Sequence, residues 1–120
     1  MQTETSTIIE QFNRAFQVKD ASLLTDLISE DCVMEGAYPP PDGSRIVGRT
    51  ECLGFWEELI RTPNTQFSPE LVSVTGERAV ILWRFEWGME KRSHIRGVNL
   101  MTVKDGLITE ALGYVKGSLS

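Results

Sequence analysis

Arg78-Ala-Val-Ile-Leu-Trp-Arg-Phe-Glu-Trp87 is the stretch that decides the fold. Ile81, Trp83, Phe85 and Trp87 alternate with Leu82, Arg84 and Glu86, the period of two that a pleated strand imposes on its side chains. One face therefore carries three large rings in a row. In a small domain such a face either thickens the core or walls an apolar pocket. Two more strand-like runs follow, His94 to Lys104 and Leu107 to Lys116, and Asp105-Gly106 between them is suited to a tight hairpin. Gln66 to Val74 precedes, joined through Thr75-Gly76-Glu77. From Gln66 onward the chain reads as four antiparallel strands in a meander.

The N-terminal half has a different period. Thr5 to Val18 places Ile8, Ile9, Phe12, Ala15 and Phe16 at helical spacing. Lys19-Asp20 interrupts it, and Asp20 is expected to cap a short second helix running through Ile28, with Leu23, Leu24, Leu27 and Ile28 inward. Cys32 to Tyr38 reads as a short strand that ends at Pro39-Pro40-Pro41-Asp42-Gly43, because three prolines cannot continue a ladder. Gly48-Arg49-Thr50-Glu51 opens a third helix, with Cys52, Phe55, Trp56, Leu59 and Ile60 on its apolar stripe, and Thr62-Pro63 stops it. Arg49 is expected to pair with Glu51 or with an acid of the proline loop. The order α-α-β-α-β-β-β-β predicts one α+β domain over residues 1–120, with three helices from the N-terminal half packed on the concave face of a curved, mixed or antiparallel sheet.

At 120 residues the chain suffices for one core and falls short of a second. A net charge of −5 argues against nucleic acid, which needs a basic face. The dense basic run, Lys91-Arg92 with His94 and Arg96, falls where a hairpin turns and reads as a solvated tip. No apolar run approaches the ~20 residues of a membrane span, and Met1 to Thr7 has neither the charge nor the apolar core of a secretory signal. Cytoplasmic residence is the default expectation. Cys32 and Cys52 lack metal or redox spacing and are expected as buried reduced thiols. His94 is the only histidine. With no second histidine or matched carboxylate at ligand spacing, no metal and no cofactor are implied.

Together these features resemble the nuclear transport factor 2-like superfamily, and within it the SnoaL-like and ketosteroid isomerase-like branch. The resemblance rests on Phe12-x-x-Ala15-Phe16, on Asp20 through Asp31-Cys-Val-Met-Glu35, on Gly48-Arg49-Thr50 and on Arg96-Gly-Val-Asn-Leu-Met-Thr-Val-Lys-Asp-Gly-Leu-Ile108. It implies a cone-shaped sheet closed by helices around a ligand cavity, and a homodimer formed through the outer face of the sheet. It also implies where isomerase chemistry would lie. The family's helix tyrosine falls on Phe12, its proton-moving aspartate on Gly36 and its second hydrogen-bond donor on Asn99. Two of these three groups are missing, so steroid isomerase activity is not expected. The acids and arginine of the family's epoxide hydrolases also lack counterparts, one acid position falling on Gly113.

Strand parity with Asn99 turns Met34, Gly36 and Tyr38 inward, together with Trp83, Phe85 and Trp87, then Gly97, Asn99 and Met101. Ala111, Gly113 and Val115 complete the wall, and the helices add Phe12, Phe16, Phe55 and Trp56. Most of these are apolar, the usual make-up of a small-molecule site. Asn99 must find a partner there, since an unmet buried amide costs on the order of 1–3 kcal/mol. It is the candidate for polarising a ligand carbonyl. Glu35 is the candidate proton carrier if the strand bulges near Gly36 and turns it inward. Three functions remain open on these residues. One is an isomerase, cyclase, dehydratase or hydrolase acting on a small apolar carbonyl compound; the second is a carrier without turnover, and the third a dimerisation module with a filled core.

Overall fold

A computed structural model describes residues 3–37, 39 and 41–116. Helix α1, Glu4–Gln17, begins where the Thr3 hydroxyl accepts the Ser6 amide, and it buries Ile9, Phe12, Ala15 and Phe16 along one stripe. Lys19 follows in the left-handed region at φ 57°, reversing the chain. Its ammonium donates to the carbonyls of Ile60 and Thr62 and to the Thr65 hydroxyl, tying this corner to the end of the second helix.

The expected second helix is a single 3₁₀ turn, Ala21–Leu24. Asp20 does cap it, accepting from the Ser22 amide and hydroxyl. Thr25 and Asp26 are weak helix formers, and so short a segment gains too few hydrogen bonds to propagate. The sheet takes the rest. Ile28 lies opposite Ile108, and the Ile108 amide donates to the Leu27 carbonyl at 2.7 Å. Strand β1 therefore runs Ile28–Glu35, starting four residues earlier than its sequence implies, and the described residues form two α-helices instead of three.

The proline loop returns as β2, Arg45–Val47, an unforeseen short strand antiparallel to β1 in which Met34 faces Ile46 and Glu35 faces Arg45. Helix α2, Arg49–Arg61, follows and buries Cys52, Trp56 and Ile60. The remaining strands are β3 (Thr65–Thr75), β4 (Arg78–Trp87), β5 (Ser93–Lys104) and β6 (Leu107–Val115). Asp105 and Gly106 both have positive φ, which lets a two-residue turn match the twist of β5 and β6.

The result is an α+β fold on a mixed, curved six-stranded sheet ordered β2-β1-β6-β5-β4-β3. Only the β1–β6 pair is parallel among the described strands. Register puts Trp83 opposite Gly97 and Gly97 opposite Val115, with Asn99 opposite both Ile81 and Gly113. These rows face the helices. On the other face Leu71, Leu82, Val98 and Tyr114 form one row across four strands, and Leu71 and Tyr114 are more than half exposed. Edge strand β3 carries Pro69 at a register shift, a feature that discourages further strand pairing. Among the described residues no helix is long and apolar enough to cross a membrane.

Candidate functional site

Cys32 of β1 and Cys52 of α2 are both free and fully buried in the core. The Cys52 thiol donates to the Cys32 carbonyl at 3.5 Å. Burial, then the neighbouring Cys52, pushes the Cys32 thiol from its usual value near 9 up to about 12, and burial raises Cys52 as well. Neither has the thiolate character of a nucleophile at neutral pH. A folded-state value above the unfolded one means that the fold favours the neutral thiol. Its contribution to stability is full below about pH 9 and is lost as the pH rises toward 12. The melting temperature of Cys32→Ala should therefore fall less steeply than that of the wild type through this window; parallel slopes would show that Cys32 does not ionise on unfolding.

The concave face and both helices line a half-open pocket of about 210 Å³. Phe12 and Phe16 enter from α1, and Phe55, Trp56 and Leu59 from α2. The sheet supplies Met34, Phe67, Trp83, Phe85, Ile95, Asn99, Ala111, Gly113 and Val115, while Glu35, Gly36 and Ala37 line it at the end of β1. The rings form a chain of contacts: Phe12 meets Trp56 edge-on at 5.2 Å and Phe16 at 5.0 Å, and Phe16 meets Phe67 at 5.3 Å. Phe55 is partly exposed. Gly36 and Gly113 keep the wall thin where side chains would project inward.

Asn99 provides the amide in this lining. Its Oδ1 accepts a hydrogen bond from the Trp83 indole Nε1 at 3.1 Å. Glu35 belongs to the lining at the end of β1 and its carboxylate is paired with Arg45 at 3.0 Å, while the register irregularity of β1 against β6 falls between Ile28 and Val33.

The remaining candidates lie elsewhere. Met101 is buried in the core below the lining, and Trp87 stands past the lining at the end of β4, with Phe85 at 6.1 Å. Tyr38 lies outside the described residues. Among the described residues Arg49 pairs with neither Glu51 nor an acid of the loop; its guanidinium donates to the Thr25 carbonyl and ties α2 to the 3₁₀ turn. His94 is exposed, and among the described residues no three His, Cys, Asp or Glu side chains come together as a metal site. Leu59, Phe67 and Ile95 belong to the lining and were not among the expected ligand contacts. Ile95 shares the parity of Asn99 and was legible from it. Leu59 lies on the predicted α2 stripe, one turn beyond Phe55.

The family model of the SnoaL-like domain matches residues 9–111. No curated protein matches the sequence. Among solved structures, an NTF2-like protein of unknown function from Mesorhizobium loti is 46% identical with a TM-score of 0.89, the match covering 95% of this chain and 92% of that one. A candidate ketosteroid isomerase from Kribbella flavida DSM 17836 is 20% identical at TM-score 0.78, with 98% and 81% covered. An LEH-like epoxide hydrolase from M. tuberculosis is 19% identical at TM-score 0.76, with 94% and 79% covered. At such identity the last two likenesses are ones of fold.

Proposed function

The chain belongs to the SnoaL-like domain family of the NTF2-like superfamily, and on that premise we propose that its pocket binds a small apolar compound through a carbonyl-type oxygen. The observation that carries this reading is a lining of rings and aliphatic side chains in which Asn99 provides an amide. Apolar surface supplies affinity there, and one polar group fixes orientation. Size narrows the class. A cavity of about 150 Å³ admits benzene, so about 210 Å³ suits a one- or two-ring compound better than a four-ring steroid.

Turnover is the second reading, and it rests on Glu35, the carboxylic acid in the described lining. The relatives include proteins described as an epoxide hydrolase and a candidate isomerase, chemistries in which a proton moves beside a polarised oxygen. Phe12 and Gly36 stand where the isomerase resemblance needs a donor and a base, which favours binding over isomerisation. The protein is further proposed to act as a homodimer through the row Leu71, Leu82, Val98 and Tyr114, an apolar stripe of the kind that marks association surfaces.

Trp56 and Trp83 line the pocket and report its occupancy. Bicyclic ketones, lactones, terpenoid ketones, aromatic polyketides and steroids would be titrated against tryptophan fluorescence, with a melting curve and light scattering on the same samples. Saturable quenching and a raised melting temperature for one- or two-ring carbonyl compounds, at twice the monomer mass, are the expected results. A flat response to every class would overturn the binding reading in favour of a filled-core association module, and a monomer mass would overturn the dimer.

A further inference from the structure

Trp83 does more than wall the pocket. An asparagine amide can present either its oxygen or its nitrogen, because rotation by half a turn exchanges two groups of nearly equal size. An indole Nε1–H can only donate. Its hydrogen bond of 3.1 Å therefore fixes Oδ1 as the Asn99 atom that faces Trp83, and Nδ2 is turned away from the ring. Among the described residues Nδ2 has no protein partner, while the residue itself lines the pocket.

The backbone makes this pairing possible. Trp83 lies opposite Gly97 on β5, so Asn99 is its diagonal neighbour, two residues along the facing strand. A Cβ on Gly97 would stand 2.4 Å from Trp83 Cζ2, in the space that the indole occupies to reach the amide. A Cβ on Gly113, opposite Asn99 on β6, would stand 3.3 Å from Asn99 Oδ1. Two residues without side chains thus flank the pair, one under the ring and one beside the amide.

Building on the binding reading above, we infer that Trp83 is a positioning residue that locks the Asn99 amide, so that the pocket selects ligands whose polar atom is a hydrogen-bond acceptor and discriminates against those that offer only a donor. Turning the amide over to meet a donor would break the indole bond and set Nδ2 against the indole N–H, two donors face to face. The ligand class is accordingly ketones, lactones and related carbonyl compounds, and N–H compounds of equal size bind more weakly. Trp83 need not touch the ligand oxygen for this.

Calorimetric titration with indanone, an acceptor, and free indole, a donor of similar two-ring size, tests the inference. The ratio of the two affinities is the readout, because volume lost with a side chain affects both probes alike. In the wild type, indanone should bind about tenfold more tightly, the equivalent of one hydrogen bond. In Trp83→Phe the ratio should fall to within about threefold, since the released amide can turn to suit either probe. Asn99→Leu should bring it to about one. A ratio that stays near tenfold in Trp83→Phe, with both probes bound, would overturn the locking role and leave the binding reading intact. Failure of both probes to bind the wild type would remove the binding reading and this inference with it. A ligand-free arm checks the lock directly by nuclear magnetic resonance. The Trp83 indole N–H should exchange with solvent at least about tenfold faster in Asn99→Leu, and unchanged exchange would show that no such bond protects it.

Discussion

Phe12→Ala is expected to lower stability by about 3 kcal/mol, the lower end of the range for truncating a buried phenylalanine. The ring is 1% exposed, packs on Phe16 of its own helix and joins α1 to α2 through its contact with Trp56. Two contributions make up the cost. The lost burial of the ring is unavoidable, whereas the cavity contribution is reduced because the vacated space merges with the existing pocket. In a chain of this length the loss corresponds to a fall in melting temperature of roughly 10 °C. Phe12→Leu keeps most of the volume and should cost only about 1 kcal/mol. Equal losses in the two variants, measured by urea unfolding, would show that the aromatic contacts and not the volume hold α1 in place.

The same residue shows what sequence can and cannot reveal. The α1 stripe of Ile9, Phe12, Ala15 and Phe16 was legible because helical spacing is a local property, and these four residues are buried as that spacing implies. The alternation of β4 and the Asp105-Gly106 turn were legible for the same reason. Features set by distant partners were not. Arg45–Val47 is too short to carry a pattern of its own and exists as a strand because β1 offers it a ladder. Ile28 belongs to β1 and not to a helix because Ile108, eighty residues later, stands opposite it. Arg49 was matched to nearby acids by charge, yet it answers a carbonyl at the turn after the 3₁₀ segment.

In the site, parity placed Trp83, Phe85, Asn99 and Val115 on one face, and all four are in the pocket lining. Parity is blind to depth. Met101 and Trp87 share that face, but one lies in the core and the other at the end of its strand, so neither belongs to the lining. Nor does alternation disclose the Trp83–Asn99 bond, which depends on the β4–β5 register bringing Gly97 between them.

Gly97→Ala puts that register to the test, and its expected sign opposes the usual rule. Glycine within a strand is ordinarily unfavourable by roughly 0.5–1 kcal/mol relative to alanine, so backbone entropy alone predicts a gain. Here the added Cβ would lie 2.4 and 2.6 Å from Trp83 ring carbons and 2.5 Å from the Tyr114 carbonyl oxygen. The indole can swing aside only by giving up its bond to Asn99, a loss of about 1 kcal/mol. The carbonyl is backbone in β6, where Val98 pairs with Tyr114 and the Lys116 amide donates to the Arg96 carbonyl at 2.9 Å, so relief there means parting two strands. Overpacking of this kind costs about 1–3 kcal/mol. Together the penalties exceed the entropic gain, and a net loss of about 2–3 kcal/mol is expected. Gly54→Ala is the control, since that glycine sits in α2 and a Cβ added there would have nothing within 4 Å, so alanine should stabilise by about 0.5–1 kcal/mol. The two substitutions should therefore move the melting temperature in opposite directions. A stabilised Gly97→Ala protein would mean that the indole does not lie across β5, and the fixed orientation of Asn99 would fall with it.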